Sequence, residues 1–336
     1  MEVKAPAILK LFGEHAVVYG KASLAVALNY YAKSVFDKPD ELLNVNLLDL
    51  GVSGSISRNE LLALYNDYTS KEIKEFILSN KRFGQLLPYF TIASRLYASG
   101  YDITGSYGIS SEIPPQKGLA SSAACSTTFA VSLLNRAKAK LSDAEIVDLA
   151  REGERVIHSN ANAGKIDVSA SYFGGYVVYS DSLGVQPQEI KANLHIKLVD
   201  TGPKKSTAET VASVKERYLH DRDNTEKIFE EIEKCTFEGL EALNLKDIKK
   251  LGELMYKNQE LLQKLGVSTE ILDSAIATAK ENGAYGAKLS GGGGGGIFLL
   301  IEESDKASNA LQKAGFKVYN ATTTFIGAKN YYHYNS

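Results

Sequence analysis

Four stretches of this chain hold residues of the kind that bind anions, hold metal ions or move protons. The first, "PPQKGLASSAAC" (114–125), runs two prolines, Lys117 and Gly118 into small residues that open a long helical pattern. Such a turn leaves N–H groups free at the positive end of a helix dipole, where an anion can sit. Ser121 and Ser122 add hydroxyls there. The order differs from the GxxxxGK[ST] phosphate loop, and an ordinary helix start capped by serine reads the same residues equally well.

The second stretch, "REGERVIHSNANAGKIDVSASYFGG" (151–175), holds Glu154, His158, Lys165 and Asp167. Glu154 and His158 are four apart, on one helical face, which suits a surface pair or a site. Asp167 stands among small and apolar residues, where a carboxylate is costly to bury unless paired, so it is a candidate base or metal ligand. The third, "GEHAVVYGK" (13–21), displays Glu14 and His15 in a loop directly after an apolar run, although each also reads as an ordinary structural residue. The fourth, "KLSGGGGGGIFLLI" (288–301), sets six glycines between two strand-like segments, a slack connector or a loop that approaches another group closely.

The elements that must carry these stretches follow from periodicity. Alternating or continuous apolar runs at 3–12, 22–28, 42–56 and 102–110 read as strands, and the first half closes on a strand at 173–180. Helical spacing follows residue 57, returns after the loop at 114–120, and returns again after Ser142, where Glu145 three residues on completes a capping box. The polar, turn-rich segment 181–192 separates this half from a second one with a strand, several helices, the glycine hairpin, a helix and a last strand. Strands grouped with packed helices in this order predict an α+β protein of two domains, 1–185 and 186–336.

Composition narrows the classes. The chain has 336 residues, 44% of them hydrophobic, and a net charge of −2, enough for about two globular domains. No Lys/Arg cluster interleaves with aromatics, which argues against nucleic acid, and no apolar run is long enough to span a membrane. The N-terminus places an acid and a histidine before any signal-peptide core, so a cytoplasmic location is expected. Cys125 and Cys235 are too few for a zinc site or a disulfide framework.

Three stretches in this order, "LFGEHAVVYGKASLAVAL", "PPQKGLASSAA" and "GAYGAKLSGGGGGGI", resemble the GHMP kinase family. Galactokinases of that family typically read GEHTDYN where this chain has "GEHAVVYGK", which is nearer to the mevalonate-phosphorylating branch. The resemblance implies a two-domain GHMP kinase fold, with an N-terminal domain like the second domain of ribosomal protein S5 and a ferredoxin-like C-terminal domain. It implies ATP as phosphoryl donor, Mg²⁺ as cofactor and the C5 hydroxyl of mevalonate as acceptor. By motif match, Pro114, Lys117, Gly118, Leu119, Ala120, Ser121, Ser122 and Ala123 wrap the phosphates, with Gly292 and Gly293 packed over them. Ser122 and Glu154 hold the metal, and Asp167 lies beside the acceptor hydroxyl as base or orienting group. Glu14, His15 and Thr207 fall on the acceptor side.

The chain departs from the family pattern at one place that matters. The family's APGK start, whose lysine pairs with the catalytic aspartate, reads "APAILK" here, with Ile8 at the lysine position. Lys10, on the same face of a strand and displaced by roughly 6–7 Å, and Lys165, two residues before Asp167, are the candidates to supply the missing charge. Another acceptor, phosphomevalonate included, and a non-catalytic ligand sensor are the alternatives; a homodimer is left open.

Overall fold

The computed structural model describes residues 2–333, apart from Gln116, Lys205, Ser206 and the side chains of Pro203, Lys204, Thr207 and Ala208. The first half runs β1 (Glu2–Phe12), β2 (Ser23–Lys38), β3 (Leu43–Leu47), β4 (Val52–Ile56), α1 (Arg58–Ser70), α2 (Ile73–Ser79), α3 (Leu87–Ala98), β5 (Gly105–Ser111), α4 (Ser121–Ala137), α5 (Asp143–Ile157), α6 (Lys165–Phe173), β6 (Tyr176–Ser180) and β7 (Gly184–Gln188). The second runs β8 (His195–Lys204), α7 (Thr207–His220), α8 (Arg222–Asn244), α9 (Ile248–Lys264), α10 (Glu270–Glu281), β9 (Gly286–Leu289), β10 (Gly295–Ile301), α11 (Lys306–Lys313) and β11 (Lys317–Thr322).

Seven strands form the first sheet, in the order β4-β3-β5-β2-β6-β7 with β1 also paired to β2; β3 and β5 run parallel. β1 is almost wholly buried because α4, α6 and α8 all pack on it, which explains why it reads as one apolar run interrupted only by charged residues such as Lys10. A small apolar cluster of Ile8, Ala25, Ile166, Ala170 and Val177 joins β1 and β2 to α6 and β6. The capping box expected at the start of α5 is present, with Ser142 Oγ accepting from Glu145 N at 3.4 Å and Glu145 Oε2 accepting from Ser142 N at 2.8 Å. It fixes where the helix that carries Glu154 begins.

The second sheet is antiparallel, β11-β8-β10-β9. Numbered within this half the order is 4-1-3-2, the βαββαβ arrangement of a ferredoxin-like fold, with α7 to α10 all placed in the first crossover. The molecule is thus α+β, with one sheet in each half, as expected for two domains. The change of sheet falls between Gln188 and His195. After β11 the chain returns to the first half: Thr324 N donates to Ala27 O at 2.9 Å, Gly175 N to Thr324 O at 2.8 Å, and Tyr332 Oη to Ala139 O at 2.7 Å. No helix among the described residues is long and apolar enough to cross a membrane.

Candidate active site

Lys10 and Asp167 meet where β1 passes α6. The Lys10 ammonium lies 2.6 Å from Asp167 Oδ1, with the two side chains 19% and 17% exposed. The apolar cluster places them: Ile8 precedes Lys10 by two residues on the same strand face, and Ile166 is the neighbour of Asp167 in α6. Burial pulls the Lys10 ammonium toward neutrality, but Asp167, with Glu14 and Glu154 adding to it, outweighs burial and holds the pKa above the ordinary lysine value.

Lys165, the other candidate, does not reach Asp167. Its ammonium lies 3.1 Å from Asp148 Oδ1 instead. Both residues belong to the first turn of α6, and two positions along a helix differ by about 200°, so their side chains leave in different directions.

The pair opens into a cavity of 330 Å³. Pro114, Lys117, Gly118, Leu119, Ala120, Ser121 and Ser122 form one wall, Gly291 and Gly292 another, and Ile8, Glu154 and His158 complete the lining. The wall ends in the open N-terminus of α4. Ala120 sits at the cap position with φ 49° and ψ 44° and supplies no side-chain acceptor. A non-glycine residue held left-handed costs about 1–2 kcal/mol, the kind of strain that collects at binding sites. Intrahelical bonding begins with Ala124 N donating to Ala120 O at 3.1 Å, so the N–H groups of Ser121 to Ala123 are left for an outside anion. The serine-capped alternative is therefore not what forms. Ala123 itself is fully buried and its side chain does not line the cavity.

Beside this end, Glu154 is held by one oxygen. Its Oε2 accepts from Ser122 Oγ at 3.2 Å and lies 3.4 Å from His158 Nε2, while Oε1 is buried with no hydrogen-bond partner in the protein. Its side chain is 1% exposed, so the Glu154–His158 spacing is not a surface pair. The hydrogen bond to Glu154 raises the His158 pKa, and burial opposes it. Gly164 makes this packing possible: at φ +79° a Cβ there would stand 2.4 Å from Glu154 Cβ.

Several expected residues lie elsewhere. Glu14 does not line the cavity; it makes a fully buried ion pair with Lys288 of β9. A lone lysine in the apolar segment "AYGAKLS" was the signal for that pair, since a buried ammonium needs a carboxylate. His15 is also outside the lining; its Nε2 lies 3.1 Å from Gly292 O. Burial pushes the His15 pKa down to about 4, so the neutral ring donates Nε2–H to that carbonyl. Gly293 is committed away from the cavity too: at φ +73° its Cβ would fall 2.2 Å from Val267 O. Gly291, which the motif reading passed over, is the glycine that lines the cavity with Gly292. Thr207 opens α7, and its side chain lies outside the described residues. The Cys125 and Cys235 thiols are pushed up to about 12 and about 11 by burial, which makes both poor nucleophiles.

Two family models match the chain, GHMP kinases N terminal domain over residues 85–175 and GHMP kinases C terminal over residues 240–320. Mevalonate kinase of Pyrococcus horikoshii is 33% identical over 294 residues, spanning 85% of this chain and 84% of its own length. The chain belongs to the GHMP kinase family. Mevalonate kinase of Methanocaldococcus jannaschii is 30% identical over 329 residues, 95% of this chain and 98% of its own. A crystal structure of the Methanococcus jannaschii mevalonate kinase matches with a TM-score of 0.76 at 26% identity, covering 96% of this chain and 98% of that one. Within this GHMP kinase, Ile8 lines the cavity at the position where the family motif has lysine, and the ammonium that reaches Asp167 comes from Lys10.

Proposed function

We propose that this GHMP kinase transfers the γ-phosphoryl group of ATP to the C5 hydroxyl of mevalonate; relatives that span most of its length are named mevalonate kinase. The observation that carries the reading is the Lys10–Asp167 pair, 2.6 Å apart, in one cavity with the uncapped N-terminus of α4. Phosphoryl transfer through a loose transition state needs positioning and charge stabilisation more than covalent chemistry. The loop from Pro114 to Ser122 and the free N–H groups of α4 hold the donor's phosphates, with the Lys117 ammonium as a point charge beside them. Asp167 orients the acceptor hydroxyl and takes its proton as the oxygen bonds to phosphorus and the bond to ADP breaks. Lys10, paired with Asp167, offsets negative charge during transfer.

The residues present fit Mg²⁺. Glu154 Oε1 is a buried oxygen without a partner, next to the Ser122 hydroxyl, and no cluster of three metal-binding side chains exists among the described residues. One carboxylate and a hydroxyl, with phosphates and water supplying the rest, is how Mg²⁺ is usually held in phosphoryl-transfer enzymes. When bound there it neutralises charge on the donor phosphates. His15 reaches the cavity only through Gly292, to whose carbonyl it donates.

A phosphorylated acceptor fits less well. Of the two lysines of the lining, Lys10 is paired with Asp167 and Lys117 stands on the donor's phosphate wall, which leaves no further lysine there for a second phosphate. A coupled ADP-release assay with mevalonate, phosphomevalonate, homoserine and galactose tests the choice, with the product's phosphorylated carbon read by NMR. Turnover on mevalonate at C5 is expected; turnover on phosphomevalonate alone overturns it.

A further inference from the structure

The phosphate-side loop of this chain is poor in glycine, and the structure shows a second device at the same place. Lys117 reaches across to the second sheet, where its ammonium lies 2.5 Å from Asp200 Oδ2. Asp200 belongs to β8, between Ile297 of β10 and Lys317 of β11, and its side chain is 8% exposed. Its other oxygen accepts from Gly202 N at 3.0 Å, so the carboxylate is fixed at both ends. The neighbouring contact of the loop with the second half, Gly118 against Ser290 and Gly291, is ordinary packing at 3.7–4.0 Å for an added Cβ. Among the described residues the ion pair is therefore the directional link between loop and sheet. Asp200 does not line the cavity, whereas Lys117 does.

We propose that Asp200 is a positioning residue for the phosphate donor: it holds the Lys117 ammonium at the cavity wall, where that ammonium meets the donor's phosphates. The inference rests on the kinase reading above. An ammonium has three N–H donors, so one directed at Asp200 leaves two for phosphate oxygens. A largely buried carboxylate abandoned by its cation is strongly unfavourable, so the pair stays made when the nucleotide arrives and Lys117 bridges the two. Asp200 thus acts on the nucleotide only through Lys117.

The test is calorimetric titration of ADP and of a non-hydrolysable ATP analogue into the full chain, beside steady-state kinetics. Asp200→Asn is expected to weaken both nucleotides and raise KM for ATP by about tenfold, with kcat and the acceptor KM within about twofold, the signature of a lost charge-assisted contact to the donor. Lys117→Met is expected to do the same, and Asp200→Asn with Lys117→Met to lose no more than Lys117→Met alone. Unchanged or tighter nucleotide binding in Asp200→Asn, or losses that multiply in the double variant, overturns the proposal. Should Asp200→Asn not fold, the reversed pair Lys117→Asp with Asp200→Lys restores neutrality; it is expected to melt like wild type and to bind nucleotide more weakly, because the ammonium then sits in β8. Wild-type affinity in the reversed pair overturns the inference. A wild-type chain that binds neither nucleotide overturns the kinase reading as well.

Discussion

Two lysine–carboxylate pairs in this molecule share their chemistry and differ in their surroundings. Lys10 and Asp167 stand at a cavity, each nearly a fifth exposed, while Lys288 and Glu14 are sealed between β9 and the loop after β1, 0% and 1% exposed. Burial acts on both ammonium groups, yet the net shifts are opposite. At Lys10 the surrounding carboxylates win and the pKa rises; at Lys288 desolvation wins over Glu14 and the pKa falls. A Lys–carboxylate pair is thus no function by itself. What separates a site from a pin is whether a substrate can reach the charge, and the two kinds of pair should fail in different assays.

The largest effect is expected at Asp167. Asp167→Asn should lower kcat by about 10²–10⁴-fold, the usual range for a lost general base, and leave the melting temperature nearly unchanged. Full turnover in the variant removes Asp167 from the chemistry. At the sealed pair the expectation reverses. Lys288→Met leaves the Glu14 carboxylate buried without its cation and should remove about 3–5 kcal/mol of unfolding free energy in denaturant melts. Glu14→Gln with Lys288→Met should recover most of that loss, because neither charge remains. A single variant as stable as wild type contradicts a buried pair.

His15 sharpens the same boundary through pH. Its folded pKa, about 4, lies below the ordinary 6.5, so between these values the unfolded chain binds a proton that the folded one refuses. Stability from this group is complete above pH 6.5 and falls as pH drops toward 4, by up to about 1.4 kcal/mol per pH unit. His15→Gln retains an N–H donor for Gly292 O and has nothing to titrate. Its unfolding free energy should therefore depend less on pH across that window; equal slopes would place the His15 ring in water.

What could be read from the sequence follows the range of the interactions involved. Strand and helix periods depend on neighbours a few residues apart, so the capping box at Ser142 and the helix start at Ser121 appear where expected. The fold's two halves follow from three motifs in order. Glu14 could not be placed this way: its partner, Lys288, is 274 residues distant, and nothing local distinguishes a displayed carboxylate from a buried one. Asp200 was hidden for the same reason. Gly291 and Gly293 were indistinguishable within a run of six, since only the approach of Val267 decides which glycine faces away from the cavity. Lys165 is a different kind of miss. Its distance from Asp167 in sequence is right for a strand or a loop and wrong for the helix that forms there.

The two lysines weighed against each other for the missing family charge give the smallest and most selective test. Lys10→Met removes the ammonium 2.6 Å from Asp167 and should slow kcat by tenfold or more, about 1.4 kcal/mol of barrier. Lys165→Met breaks only a partly exposed pair with Asp148, and such pairs contribute about 0–1 kcal/mol to stability and nothing to a cavity they do not face. Its kcat should stay within about twofold of wild type. The contrast is informative because both variants lose the same charge, Lys10 meeting Asp167 from β1 and Lys165 sharing its helix turn. A slow Lys165→Met beside a normal Lys10→Met would mean that the N-terminal turn of α6 rearranges on substrate binding to turn Lys165 inward. With the predicted order, the charge supplied by the family's APGK lysine is supplied here from two residues further along β1, and the strand's period of two is what allows the displacement without a change of face.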